Sequence, residues 1–234
     1  MKHKILIILI LVFACIIRFY KLGEIPAGIH EDEVSHGYNA FSLLQTGKDR
    51  YGQAFPILFR SFGSYQPPLY TYLATIPVKL LGNTIFSIRT VSATAGVLLV
   101  LIAYLISLQI FDGKKKYFLG LSFSFMVAIS PWAINYNRLT AEGSLGVTVF
   151  TLSILFFILS LKNIKYFPIA CFILGLSTHA YYSERIIVIL LLPLLLFFYR
   201  KEYLKLGKKW IIAGLIVFAA TNPAFINCRN GGFD

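Results

Sequence analysis

Three consecutive carboxylates flanked by two histidines are the residues of this chain best equipped for chemistry. His30-Glu31-Asp32-Glu33 and then His36 lie in a Pro- and Gly-bearing segment that follows the first long apolar run. A carboxylate within reach of a hydroxyl can take its proton as a general base. Asp32 and Glu33 also fall at or just before the start of a helical pattern, where the helix dipole favours an ionised carboxylate. The plain alternative is capping, with Asp32 as the N-cap and Glu33 as a first-turn charge. Three acids in a row beside two histidines exceed what capping needs. His30 and His36 are six apart, so the pair of histidines four apart that marks a zinc-protease helix is absent. A divalent metal held by His30, Asp32 or His36 is an alternative that the spacing does not support, and no cofactor is expected.

The scaffold that must present these residues is apolar. Hydrophobic residues make up 57% of the 234 residues and charged ones 14%, which places the chain among membrane proteins. Apolar runs occupy 5–20, 85–111, 117–134, 144–161, 166–180, 186–199 and 210–226. A crossing takes about 20 residues and must satisfy its own backbone bonds, so each run reads as a helix, the fifth and sixth being short. The expected fold is all-α: a single membrane domain over 1–234, with about seven transmembrane helices and a long first outer loop at 21–84. The basic start Met1-Lys2-His3-Lys4 could open a cleaved signal, but no small-residue cleavage site precedes Arg18, so the first run reads as an anchor. Of three cysteines, Cys15 and Cys171 fall inside apolar runs, and no disulfide framework is implied.

Charge orients the chain. The net charge is +12, yet the basic residues concentrate in alternate loops, around Lys2 and Lys4, Lys114–Lys116, Lys162 and Lys165, and Arg200 to Lys209. With the N-terminus cytoplasmic, every inner loop is Lys-rich and the acidic loop lies outside, as the positive-inside rule requires. The lysine runs are therefore topology signals, and no nucleic-acid partner is expected.

The outer segments hold the remaining polar chemistry. Val34, Tyr38, Phe41 and Leu44 recur at helical spacing over 33–46 ahead of Gly47, which predicts a helix lying along the membrane surface. Pro67-Pro68 opens a second such segment over 69–81 that ends at Gly82. In the second outer turn Arg138 and Glu142 are four apart, so a helical turn would pair them on one face; structural pairing and use in an active site both stay open. The third outer turn carries Tyr181, Tyr182, Glu184 and Arg185, the tyrosines fitting an interfacial belt. Arg89, at the outer entrance of the second run, either snorkels to ordinary headgroups or binds a specific phosphate. Together the outer turns could hold an anionic lipid headgroup on arginines and a hydroxyl acceptor on a carboxylate.

The stretch Arg18-Phe19-Tyr20-Lys21-Leu22-Gly23 followed by Pro26-Ala27-Gly28-Ile29-His30-Glu31-Asp32-Glu33 resembles the start of a membrane glycosyltransferase superfamily. Gln66-Pro67-Pro68-Leu69-Tyr70, the segment Gly82 to Ser92 around Arg89, Pro131, and Arg138 to Glu142 extend the likeness to about Arg185. The superfamily is that of polyprenyl-phosphate-sugar-dependent enzymes with the C-type fold, nearest the protein O-mannosyltransferases and aminoarabinose lipid A transferases. The resemblance implies a lipid-phosphate sugar donor at the outer leaflet and inversion by direct displacement, with Asp32 as general base and Glu33 supporting it or binding acceptor. Arg89, Arg138 or Arg185 would hold the phosphate, and Glu142 would orient Arg138 or contact the sugar. His30 and Tyr181 complete the implied substrate-binding set. Relatives usually carry further spans, so the chain reads as the N-terminal part of a longer fold.

The expected partners are a polyprenyl-phosphate-linked sugar, an acceptor protein, lipid or glycan, and membrane lipids, with the protein in the plasma (inner) membrane. Two other classes compete. A non-catalytic scaffold of the same fold fits the short length, whereas a transporter would want ionisable groups inside the spans, which are nearly free of them.

Overall fold

The computed structural model describes residues 2–113 and 115–222; Lys114, the last residues of the seventh expected span and the tail to Asp234 lie outside the described residues. The chain forms two compact units, Met1–Thr148 and Val149–Asp234, where a single domain over 1–234 is expected from sequence.

In the first unit, α1 (Lys2–Phe19), α4 (Ile85–Ile110) and α5 (Lys115–Ile129) pack together. Small residues bring them close: Ala14, Val100 and Ala128 are buried among Ile10, Leu11 and Val127. Ile5, Ile8, Leu9, Val12 and Ile16 of α1 stay exposed, an apolar face suited to hydrocarbon. Between α1 and α4 lies the long loop. It holds α2 (Glu31–Thr46), the short hairpin β1 (Phe59–Arg60) and β2 (Tyr65–Gln66), and α3 (Pro68–Leu81). The loop helices end where their glycines predict: Gly47 adopts φ 69° and its N–H closes on Leu43 O at 2.9 Å. Gly37 is needed for a different reason, since a Cβ there would run into Ile88 of α4.

α2 is inside out. Val34, Tyr38, Phe41 and Leu44 form its exposed side, while Glu33, Ser35, His36, Gly37 and Asn39 are buried. An exposed apolar face over a buried polar one suits a helix lying in the membrane interface.

The expected third span is broken. α5 stops at Ile129, and α6 (Pro131–Asn137) leaves it at 58°. Pro131 has no N–H to continue the ladder, and Ser130 Oγ caps the new helix by accepting from Ala133 N at 3.4 Å. α7 (Glu142–Ser160) then carries the chain across the unit boundary.

The second unit contains the rest of α7, α8 (Tyr166–Ser177), α9 (Tyr182–Phe198), α10 (Arg200–Leu206) and α11 (Lys208–Thr221). Its core gathers Phe157, Phe167, Cys171, Leu174, Val188, Leu192 and Tyr203. The closest approach is of α8 to α11, where a Cβ on Gly214 would meet the Phe167 ring.

The all-α class stands; among the described residues fewer helices than the seven expected spans pass on length and apolarity. Among the described residues two helices, α4 and α7, are long and apolar enough to cross a membrane, or three if α5 and α6 are one bent span. The reasons are local: α1 carries Lys2, Lys4 and Arg18 within its 18 residues, and α8 is 12 residues long.

Candidate functional site

The three adjacent carboxylates have different fates. His30 is the N-cap of α2: its Nδ1 takes the Asp32 N–H at 3.3 Å, while its own N–H donates to Glu33 Oε2 at 3.1 Å. This reciprocal box puts Glu31 and Asp32 on the solvent side of the first turn and drives Glu33 inward. Capping thus belongs to His30, not to Asp32 as the plain alternative from sequence has it.

Glu33 is 1% exposed and meets Arg89 in a two-bond fork, Nε to Oε1 at 2.7 Å and Nη2 to Oε2 at 2.8 Å. Its Oε1 also accepts the Thr140 N–H at 3.0 Å. Burial alone would raise the Glu33 pKa, but the Arg89 bonds, the His30 and Thr140 N–H groups and the Arg89 charge together hold it below the ordinary carboxylate value. Sealed in this way, Glu33 is engaged on both oxygens by groups of the protein itself.

Arg89 is likewise held within the protein. Besides Glu33 it donates from Nη1 to Leu22 O and Pro26 O, and from Nη2 to Gly28 O. All of its N–H groups are thereby used within the protein, with none left for a lipid phosphate. Arg138 behaves similarly. Its Nη1 donates to Ile17 O and Arg18 O, and its Nη2 to Tyr20 O and Ile25 O, at 2.6 to 3.3 Å. These carbonyls are the C-terminal end of α1 and the turn after it, orphan acceptors that need a donor.

The expected Arg138–Glu142 pair does not form, because residues 138 to 141 are not helical and the four-residue spacing loses its meaning. Glu142 Oε1 instead approaches His36 Nε2 to 3.0 Å, off the line of a hydrogen bond. His36 is fully buried, and its Nδ1 lies 2.7 Å from Thr71 Oγ1. Next to it the Tyr70 hydroxyl donates to Ile88 O at 3.0 Å, and burial pushes that phenol above its usual range, keeping it a neutral donor.

Asp32 remains accessible. Its side chain is 49% exposed, Oδ1 accepts from Gln66 Nε2 at 2.8 Å, and Oδ2 lies 3.3 Å from His30 Nδ1. A half-exposed carboxylate with one oxygen held by Gln66 and the other beside the exposed His30 ring can accept a proton from a hydroxyl that reaches it.

Tyr181 and Arg185 belong to the second unit. Tyr181 is the half-buried N-cap of α9 and makes no side-chain cap bond. Arg185 Nε donates to Thr178 O at 3.2 Å, and its guanidinium lies 4.6 Å from the centre of the Tyr182 ring. Its neighbour Glu184 is 3% exposed, and burial pushes its carboxyl up to about 7.

Sequence reasoning gave no role to Arg18 or Gln66. Arg18, fully buried, donates to Asn137 Oδ1 at 2.9 Å and to the Ala128 and Val127 carbonyls. The signal available was an arginine closing an otherwise apolar run. Among the described residues no three His, Cys, Asp or Glu side chains are grouped to hold a metal ion.

Comparison with known proteins bears on these residues. A family model described as dolichyl-phosphate-mannose-protein mannosyltransferase matches residues 65–226, which takes in Gln66, Arg89, Arg138 and Arg185. No curated protein matches the chain.

Proposed function

The chain belongs to the dolichyl-phosphate-mannose-protein mannosyltransferase family, and on that premise we propose that it transfers a sugar from a polyprenyl-phosphate carrier to an acceptor hydroxyl. Mannose is the sugar that the family description names. Asp32 is the general base. It takes the proton of the acceptor hydroxyl on Oδ2 while the acceptor oxygen bonds to the anomeric carbon. The bond from that carbon to the phosphate oxygen breaks, its electron pair leaves with the polyprenyl phosphate, and the anomeric centre inverts.

The observation that carries this reading is the division of labour inside the acidic triplet: Glu33 is sealed against Arg89, whereas Asp32 is half-exposed and held at one oxygen by Gln66. The lysines at the inner ends favour a cytoplasmic N-terminus in the plasma membrane, with the loop bearing Asp32 on the outer face.

The test is turnover by the purified chain in proteoliposomes, with polyprenyl-phosphate mannose as donor and a hydroxyl-bearing peptide, glycolipid and glycan as acceptors. Release of polyprenyl phosphate coupled to an inverted glycoside is the expected result. A retained configuration, or donor binding with no transfer to any acceptor, would count against it.

A further inference from the structure

The strongest unassigned arrangement is a line of hydrogen bonds that enters Asp32 from the buried side of the loop. Ser61 Oγ donates to Ser35 Oγ at 3.2 Å, Ser35 Oγ donates to Gln66 Oε1 at 2.7 Å, and Gln66 Nε2 donates to Asp32 Oδ1 at 2.8 Å. Ser61, Ser35 and Gln66 are 3%, 0% and 3% exposed, so water does not compete for the two bonds among them. We propose that Gln66 is a positioning residue for Asp32, its amide locked one way round by Ser35 and Ser61 so that it donates to the carboxylate. The inference rests on the reading of Asp32 as the base.

The direction of the chain follows from what each group can do. An ionised carboxylate only accepts, so the amide nitrogen must face Asp32 and the amide oxygen must face Ser35. Ser35 has one hydroxyl proton, and the amide oxygen claims it. Its lone pair is then left for Ser61, which completes the line. Reversing the amide would set its oxygen against the carboxylate. Bonds arranged head to tail polarise one another, which stiffens the whole line.

Local sequence explains why Gln66 can serve. In the hairpin Phe59 pairs with Gln66 and Arg60 with Tyr65, and the alternation of faces turns Phe59 and Gln66 inward. Pro67 and the start of α3 at Pro68 follow at once, fixing the backbone on the other side. With Oδ1 held, Oδ2 is the oxygen presented to an incoming hydroxyl.

The experiment measures two things on the full chain in proteoliposomes. One is the pH midpoint for carbodiimide labelling of Asp32, located by fragment mass spectrometry. The other is turnover with polyprenyl-phosphate mannose. Gln66→Glu keeps the shape but replaces the donor with a second carboxylate, and the labelling midpoint of Asp32 should rise by about one unit or more. Gln66→Asn withdraws the amide by one methylene; the midpoint should rise by less, with kcat falling about tenfold and KM changing little. Ser35→Ala, which unlocks the amide without touching Asp32, should fall between wild type and Gln66→Asn, and it serves if Gln66→Glu does not fold. Labelling midpoints that coincide with wild type in the folded variants would overturn the inference. Failure of the base reading looks different: Asp32→Asn would keep turnover whatever Gln66 does.

Discussion

Arg89 and Glu33, 56 residues apart in the chain, meet through two parallel hydrogen bonds of 2.7 and 2.8 Å. The pair joins α2, in the long loop after α1, to the first turns of α4. Because both side chains are almost wholly buried, removing one leaves the other as an uncompensated charge, at a cost of about 3–5 kcal/mol. Arg89→Ala and Glu33→Gln should each lower the thermal midpoint strongly, and the double variant should lose less than the two losses combined. Thermal unfolding in detergent, run as a double-mutant cycle, measures this coupling; additive losses would contradict it.

The same pair sets an acid limit. Glu33 is held below its ordinary value of 4.5, so its contribution is present above that value and is lost as pH falls through the lower, folded one. Stability should therefore decline on acidification below pH 4.5. The decline should be weaker in Glu33→Gln, which unfolding midpoints measured from pH 3 to 7 would reveal.

Glu184 carries the opposite sign. Its carboxyl is raised from 4.5 to about 7, so the proton stabilises the folded state. That contribution is complete below 4.5 and is lost as pH rises through 7. Glu184→Gln should flatten the dependence across this window and leave the protein more stable than wild type at pH 8. Paired melting curves at pH 5 and pH 8 test it, and an unchanged slope would refute the assignment.

Arg138 supplies donors to four carbonyls near the end of α1. Arg138→Ala should cost about 1–3 kcal/mol for each acceptor that water cannot reach, up to loss of the fold. Donor binding per folded molecule should not change. Titration with polyprenyl-phosphate mannose on the folded fraction separates the two, since a phosphate ligand would show weakened binding.

What could be read from the sequence was local. Gly47 and Gly82 mark the ends of α2 and α3, and Pro67-Pro68 marks the start of the second, because caps and prolines act within one turn. The exposed row Val34, Tyr38, Phe41 and Leu44 is where periodicity places it. What escaped is long in sequence and short in space. Arg89 reaches Glu33 across 56 residues, and Gln66 reaches Asp32 across 34, through a hairpin two residues long on each side. Arg138 and Glu142 show the converse: a four-residue spacing is a pairing rule only inside a helix, and Leu139-Thr140-Ala141 is a turn between two. Apolarity alone does not reveal that Ser130-Pro131 breaks a run or that α8 is short.

The most direct test sets Asp32→Asn beside Glu33→Gln and reads melting temperature and turnover on both. Asp32 is half-exposed and Glu33 is sealed, so the two neighbours should separate cleanly. Asp32→Asn should melt within a few degrees of wild type and lose transfer of mannose by about 10²–10⁴-fold, the range expected for removing a general base. Glu33→Gln should lose stability first. Asp32→Asn that turns over at the wild-type rate would contradict the account.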